Sequence, residues 1–88
     1  MIALKALKEA AKQGGFSADW AGLTINSSQW TPAPDIQRFF LYTLKELAFI
    51  HLRKGNALIA DALLKKLLEL DPKDQVGASV IQDLANGS

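Results

Sequence analysis

Glycine and proline cut this chain into helical lengths, and that punctuation constrains the fold more than any other feature. The breaks fall at Gly14-Gly15, at Pro32 and Pro34, at Gly55-Asn56, at Pro72 and at Asn86-Gly87. Between them apolar residues recur every three to four positions, and no segment keeps the period of two that a half-buried strand requires. The expected fold class is therefore all-α. A first helix is expected over about residues 2–13, with Ile2, Ala6, Ala10 and Leu4, Leu7, Ala11 as its apolar stripe and Gly14-Gly15 as a left-handed exit. Pro32 and Pro34 stop any helix from running in, which places Asp35 to cap or favour the positive end of a second helix over residues 36–54. Ile36, Phe40, Leu44, Leu47 and His51 share one face of it, and Phe39, Tyr42, Phe49 and Leu52 carry apolar character to other sides. Two partners must cover such a helix. A third is expected over residues 57–70, ending at Asp71-Pro72 because the residue before proline is pushed out of the helical region. The short turn at Gly55-Asn56 makes these two antiparallel neighbours. Asp74 is placed to cap a last helix with apolar positions Val76, Val80, Ile81 and Leu84.

Residues 16–34 are rich in Ser, Thr, Asn, Gly and Pro, yet they carry Phe16, Trp20, Leu23, Ile25 and Trp30. Burying each such side chain is worth about 1.5–3 kcal/mol, so the connector is expected to fold back onto the helices, with one short helical turn between Ser17 and Leu23. Trp20 and Trp30 are expected to anchor the core rather than stack on bases, because neither sits in a basic stretch. The length of 88 residues allows one domain. Its expected parts are residues 1–34 (helix and aromatic connector), 35–74 (helical hairpin) and 75–86 (capping helix). A chain this short buries only about 60% of its unfolded surface, which points to a partner or second copy as additional cover.

Several functions are excluded by composition. Ten Lys and Arg against nine Asp and Glu leave a net charge of +1, with no excess to steer the chain toward nucleic acid or a membrane surface. The absence of cysteine removes thiolate chemistry and sulfur-ligated zinc, and the single histidine, His51, has no second ligand on its face. No metal or cofactor is expected. Lys5, Lys8, Glu9 and Lys12 interrupt any signal-peptide core, and no run of about 18 apolar residues offers a membrane span, so a cytoplasmic location is expected. Asp71 and Asp74 flank Lys73, but helix-ending and capping duties account for both. Gly14-Gly15 lacks the spaced glycines and lysine of a phosphate cradle. Asp61 with Lys65, and Lys65 with Glu69, read as solvated pairs one turn apart. No acid, base and nucleophile assemble, so the chain is not expected to be an enzyme.

The run Leu44-Lys-Glu-Leu47-Ala48, then Lys54-Gly55-Asn56, then Ala60, Leu64 and Leu67, and finally Leu68-Glu-Leu-Asp-Pro72 resembles one tetratricopeptide repeat over residues 41–74. The resemblance implies that Ala48 and Ala60 lie where the two helices cross closely, that Gly55 makes the reversal, that Leu44, Leu47, Leu64 and Leu67 fill the interhelical space, and that Pro72 starts the passage to the next helix. It implies one repeat with a capping half-repeat, not an array. It further implies a protein-interaction module, a small adaptor or chaperone-like protein. Such a module takes a partner helix or peptide on the first-helix face, here Tyr42, Lys45, Glu46, Phe49 and Arg53. Phe49 stands where a carboxylate-clamp member has asparagine, which disfavours that mode. Cover of Tyr42 and Phe49 by residues 1–34 remains the competing outcome. Self-association as the whole function is the alternative. Helix-turn-helix DNA binding is a distant third, because the 57–70 helix offers only Lys65 and Lys66 outside its apolar face.

Overall fold

Each glycine or proline break lies at a helix boundary in the structure, a computed structural model that describes residues 2–87. The elements are α1 (Ile2–Gly14), a single 3-10 turn (Trp20–Gly22), α2 (Asp35–Arg53), α3 (Ala57–Leu70) and α4 (Ala78–Ala85). The protein is all-α, with no strand among the described residues. Two of the helix ends are built alike. Gly15 and Gly55 take left-handed φ values of +75° and +82°. The next N–H groups, of Phe16 and Asn56, donate back to Ala11 O (3.0 Å) and His51 O (2.9 Å), while the glycine N–H groups donate to Lys12 O and Leu52 O. These are the paired bonds of a glycine C-cap, which satisfy carbonyls that the helix leaves free.

The starts depart further from expectation. Pro34 is the N-cap of α2 and Asp35 its first residue, so Asp35 favours the positive end by charge and does not cap. The last helix is shorter than the expected 75–86, because Gln75 to Gly77 form a turn and Gly77, at φ +74°, is the N-cap. Asp74 still performs the capping from three residues further back. Its carboxylate accepts from Ser79 N (3.2 Å) and from Ser79 Oγ. The Ser79 hydroxyl is the main reason that the Asp74 carboxyl lies below its ordinary value of 3.8; desolvation opposes it, and the Ser79 and Ala78 N–H groups and the Lys45 charge add to the lowering. A carboxyl lowered on folding stabilises the fold above its unfolded pKa and loses that contribution as pH falls through the folded value. Asp74→Asn is therefore expected to lower the melting temperature at neutral pH, with the gap to wild type closing in strong acid, as followed by circular dichroism.

Packing selects faces that periodicity did not settle. On α1 the buried residues are Ala3, Leu7, Ala10 and Ala11. Ile2 and Leu4, expected in the stripe, lie outside it at 87% and 44% exposure. The true stripe is narrow and made mostly of alanine, and small residues let α1 lie close along α2. α2 is covered from two sides as expected: α1 takes one, α3 another, and α4 contacts both hairpin helices. Ala48, Ala60, Leu44, Leu47, Leu64 and Leu67 are all buried. On α4 only Ala78 and Ile81 reach the core, while Val80 and Leu84 face outward and Val76 is buried ahead of the helix.

The connector folds back, with Ile25 the exception, half exposed. Trp30 is buried among Phe16 and Phe40, at centroid distances of 5.1 Å and 5.9 Å, and Phe16 stands edge-on to Phe40 at 4.8 Å. Gly14 allows this arrangement, since a Cβ there would collide with the Phe16 ring. Polar ties complete the seam. Trp30 Nε1 donates to Thr24 O, and Lys66 Nζ donates to Leu23 O at 2.6 Å. Gln75 reaches across from the α3–α4 turn, donating to Trp30 O (2.7 Å) and accepting from Ala33 N (3.1 Å). Gln75 is itself held by Asp71, whose fully buried carboxylate accepts from Gln75 N, Gln75 Nε2 and Val76 N.

This arrangement buries what a monomer of this length ordinarily buries. The accessible surface is 5171 Å², against about 5,100 Å² for a folded monomer of this mass. The radius of gyration is 12.0 Å, the value of about 12 Å expected for a compact domain of this length. The N-terminal helix, connector and α4 supply the cover that the hairpin alone lacks.

Candidate functional site

Tyr42, Lys45, Glu46 and Phe49 project from one stripe of α2 because they are spaced by three or four residues. α4 runs beside that stripe, placed there by the Asp71–Gln75 turn, and Ile81 faces it. The result is an open cleft of about 360 Å³ lined by these five residues. Residues of α1 and the connector do not line it, so the competing outcome for Tyr42 and Phe49 does not occur. Tyr42 is 48% exposed and Phe49 is half-buried against the core.

The polar groups around the cleft are unequal in freedom. Lys45 Nζ donates to Val76 O at 2.8 Å, which binds α2 to the turn before α4 and lays the lysine stem along the cleft. Glycine is needed at position 77 for its left-handed φ of +74°, since a Cβ there would meet that ammonium only at an ordinary contact distance of 3.4 Å. Glu46 is exposed. Arg53, one turn beyond Phe49, sets its guanidinium 5.7 Å from the Phe49 ring centroid, a cation–π contact at the end of the cleft. The arrangement offers an apolar floor of two rings and an isoleucine, rimmed by one acid, Glu46, and two bases, of which Lys45 is tied to Val76 O.

All five sequence-expected residues thus lie on one face, four lining the cleft and Arg53 flanking it. Ile81 reads from sequence only as an apolar position of the capping helix. Its place in the register after the hairpin was the available signal, but its direction depends on the turn before α4. The other candidates lie apart. His51 is half-buried, with Nδ1 3.2 Å from Asn56 Nδ2. Asp61 pairs with Lys65 at 2.9 Å, whereas Glu69 pairs with Lys66 and not with Lys65. Lys66 is also bound to the connector through Leu23 O, so both lysines expected outside the apolar face of α3 are already engaged. Among the described residues no group of three His, Asp or Glu side chains converges as a metal site, and no helix is long and apolar enough to cross a membrane. Comparison with protein-family models, curated proteins and solved structures returns no match.

Proposed function

We propose that this chain is a protein-interaction module, adaptor- or chaperone-like, that receives an amphipathic helix or peptide of a partner protein in the α2–α4 cleft. The observation that carries the reading is an apolar cleft left open by a chain that otherwise buries its surface as fully as a compact monomer of its size. Tyr42 and Phe49 supply broad contact area at small entropic cost, Ile81 the opposite wall, and Glu46 and Arg53 set orientation. The tetratricopeptide-like reading supports it: Ala48 and Ala60 are buried, Gly55 takes a left-handed φ between the hairpin helices, and Pro72 follows the second of them. The chain acts by binding and carries out no reaction of its own.

A photo-crosslinking amino acid in place of Tyr42 tests this, with the same group in place of Ala62 on the exposed back of α3 as control. Protein adducts in cells from position 42 and none from position 62 are expected, and Phe49→Glu should abolish them while the helical circular dichroism signal persists. An adduct of twice the chain's mass assigns the cleft to self-association instead. Equal adducts from both positions remove the cleft from consideration.

A further inference from the structure

The α2 lining of the cleft has the geometry of a socket for another helix. Tyr42, Lys45, Glu46 and Phe49 stand at i, i+3, i+4 and i+7, a diamond of four side chains on one helix face. Four such residues frame the hole into which one side chain of a facing helix inserts. Ile81 of α4 walls it on one side. The stripe continues beyond the socket in both directions. Phe39, Tyr42, Glu46, Phe49 and Arg53 follow one another at steps of three, four, three and four, the seam along which a second helix packs. Phe39 is 51% exposed, so that seam is open at its start as well as at the cleft. An extended peptide sets its same-side groups about 6.6 Å apart and falls out of step with a seam whose positions recur about every 5 Å.

The charges along the stripe are few and ordered. Asp35 and Arg38, at its start, are opposite in sign and one turn apart. Lys45 is tied to Val76 O, and Asp83, two positions after Ile81, falls on the other side of α4. That leaves Glu46 at the socket and Arg53 two turns further on, beside Phe49. Both are exposed, and among the described residues neither forms an ion pair.

We infer that the occupant is an amphipathic α-helix lying antiparallel to α2, with an apolar side chain in the socket, a base against Glu46 and an acid against Arg53. This rests on the cleft being the binding site and names the chemistry of the partner it takes. The direction follows from the order of the charges. In the antiparallel seat the partner's acid comes first and its base about two turns later, so each lies toward the end of its own helix whose dipole favours it. A parallel helix would carry the two in the unfavourable order.

The probe is a synthetic alanine-rich peptide long enough to be helical in solution, carrying Glu, then leucines at steps of three and four, then Lys along one side. Titrated with the full chain and followed by fluorescence anisotropy, it is expected to bind saturably. Glu46→Gln and Arg53→Gln should each weaken binding by about two- to fivefold, and Phe49→Ala by about tenfold or more. Retained helicity by circular dichroism verifies each fold. The same peptide with a central proline cannot continue as a helix and should not bind. A photoreactive group at the peptide's N-terminus should label the chain near Arg53 and not near Phe39. No binding of the helical peptide, binding unaffected by the proline, indifference to both charge variants, or labelling near Phe39 overturns the inference. In each of these cases protein adducts from position 42 in cells would still keep the cleft as a binding site, so the two readings fail separately.

Discussion

Trp30→Ala is expected to destabilise the domain by about 3–5 kcal/mol, the range for emptying a buried aromatic site. Trp30 is 1% exposed and packs against Phe16 and Phe40, so the cavity would open where the connector, α1 and α2 meet. These elements carry other groups of the core and cannot simply collapse inward. The indole N–H to Thr24 O bond is lost as well. In a chain this short, 1 kcal/mol shifts the melting temperature by about 4–8 °C, so the melt should move down by about 15 °C or more. Trp30→Phe keeps a ring but not the N–H and should fall between. A variant that melts within a few degrees of wild type would show that the connector contributes little to stability. Urea titration gives a second readout, because detachment of residues 16–34 without unfolding would lower the slope of the transition rather than only its midpoint.

The second large effect is expected at Asp71, a position that reads from sequence as a helix end before proline. Its carboxylate is fully buried, and three N–H groups face it in place of a cation. Asp71→Ala strands those donors, and stranded buried groups cost about 1–3 kcal/mol each. A total loss of about 3 kcal/mol is expected, since part of the turn relaxes toward water. Asp71→Asn keeps one accepting oxygen but turns an NH2 toward a donor, so it should recover only part of the loss. Gln75→Ala removes the links to Trp30 O and Ala33 N while leaving the backbone bonds to Asp71. Because the two residues share bonds, the double variant should lose clearly less than the sum of the singles, as read from denaturant melts. Strict additivity would mean that the turn and the connector are held independently.

These two positions mark where sequence reading succeeds and where it stops. Trp30 was legible as a core anchor because a large apolar ring in a polar stretch has little reason to remain in water. Its neighbours were not legible, since Phe16 and Phe40 lie 14 and 10 positions away and the connector that holds Trp30 has no periodicity. Lys45 and Lys66 look like surface cations, yet each donates to a backbone carbonyl of another element, Val76 O and Leu23 O. A flexible stem reaching a distant carbonyl leaves no pattern in the chain. The α2 stripe of Tyr42, Lys45, Glu46 and Phe49 was legible because helical spacing alone places these residues on one face. Ile81, the opposing wall, was not, because its direction depends on Gly77 and Asp74 taking left-handed backbone conformations in the turn before α4.

What the sequence by itself determined is the set of helices and where each one stops, though not where the last one starts. Glycine and proline act through the backbone of their own and adjacent residues, so Gly15, Gly55 and Pro72 set boundaries wherever the helices later pack. The tertiary structure alone decided which side of each helix is covered. α1 turned its alanines inward and left Ile2 and Leu4 outside, because close approach to α2 outweighed the burial of larger side chains. It also decided that the connector and α1 close the far side of the hairpin and leave the Tyr42–Phe49 stripe open. Covering a surface depends on contacts between residues far apart in the chain, and local periodicity is the same whether a face meets protein or water.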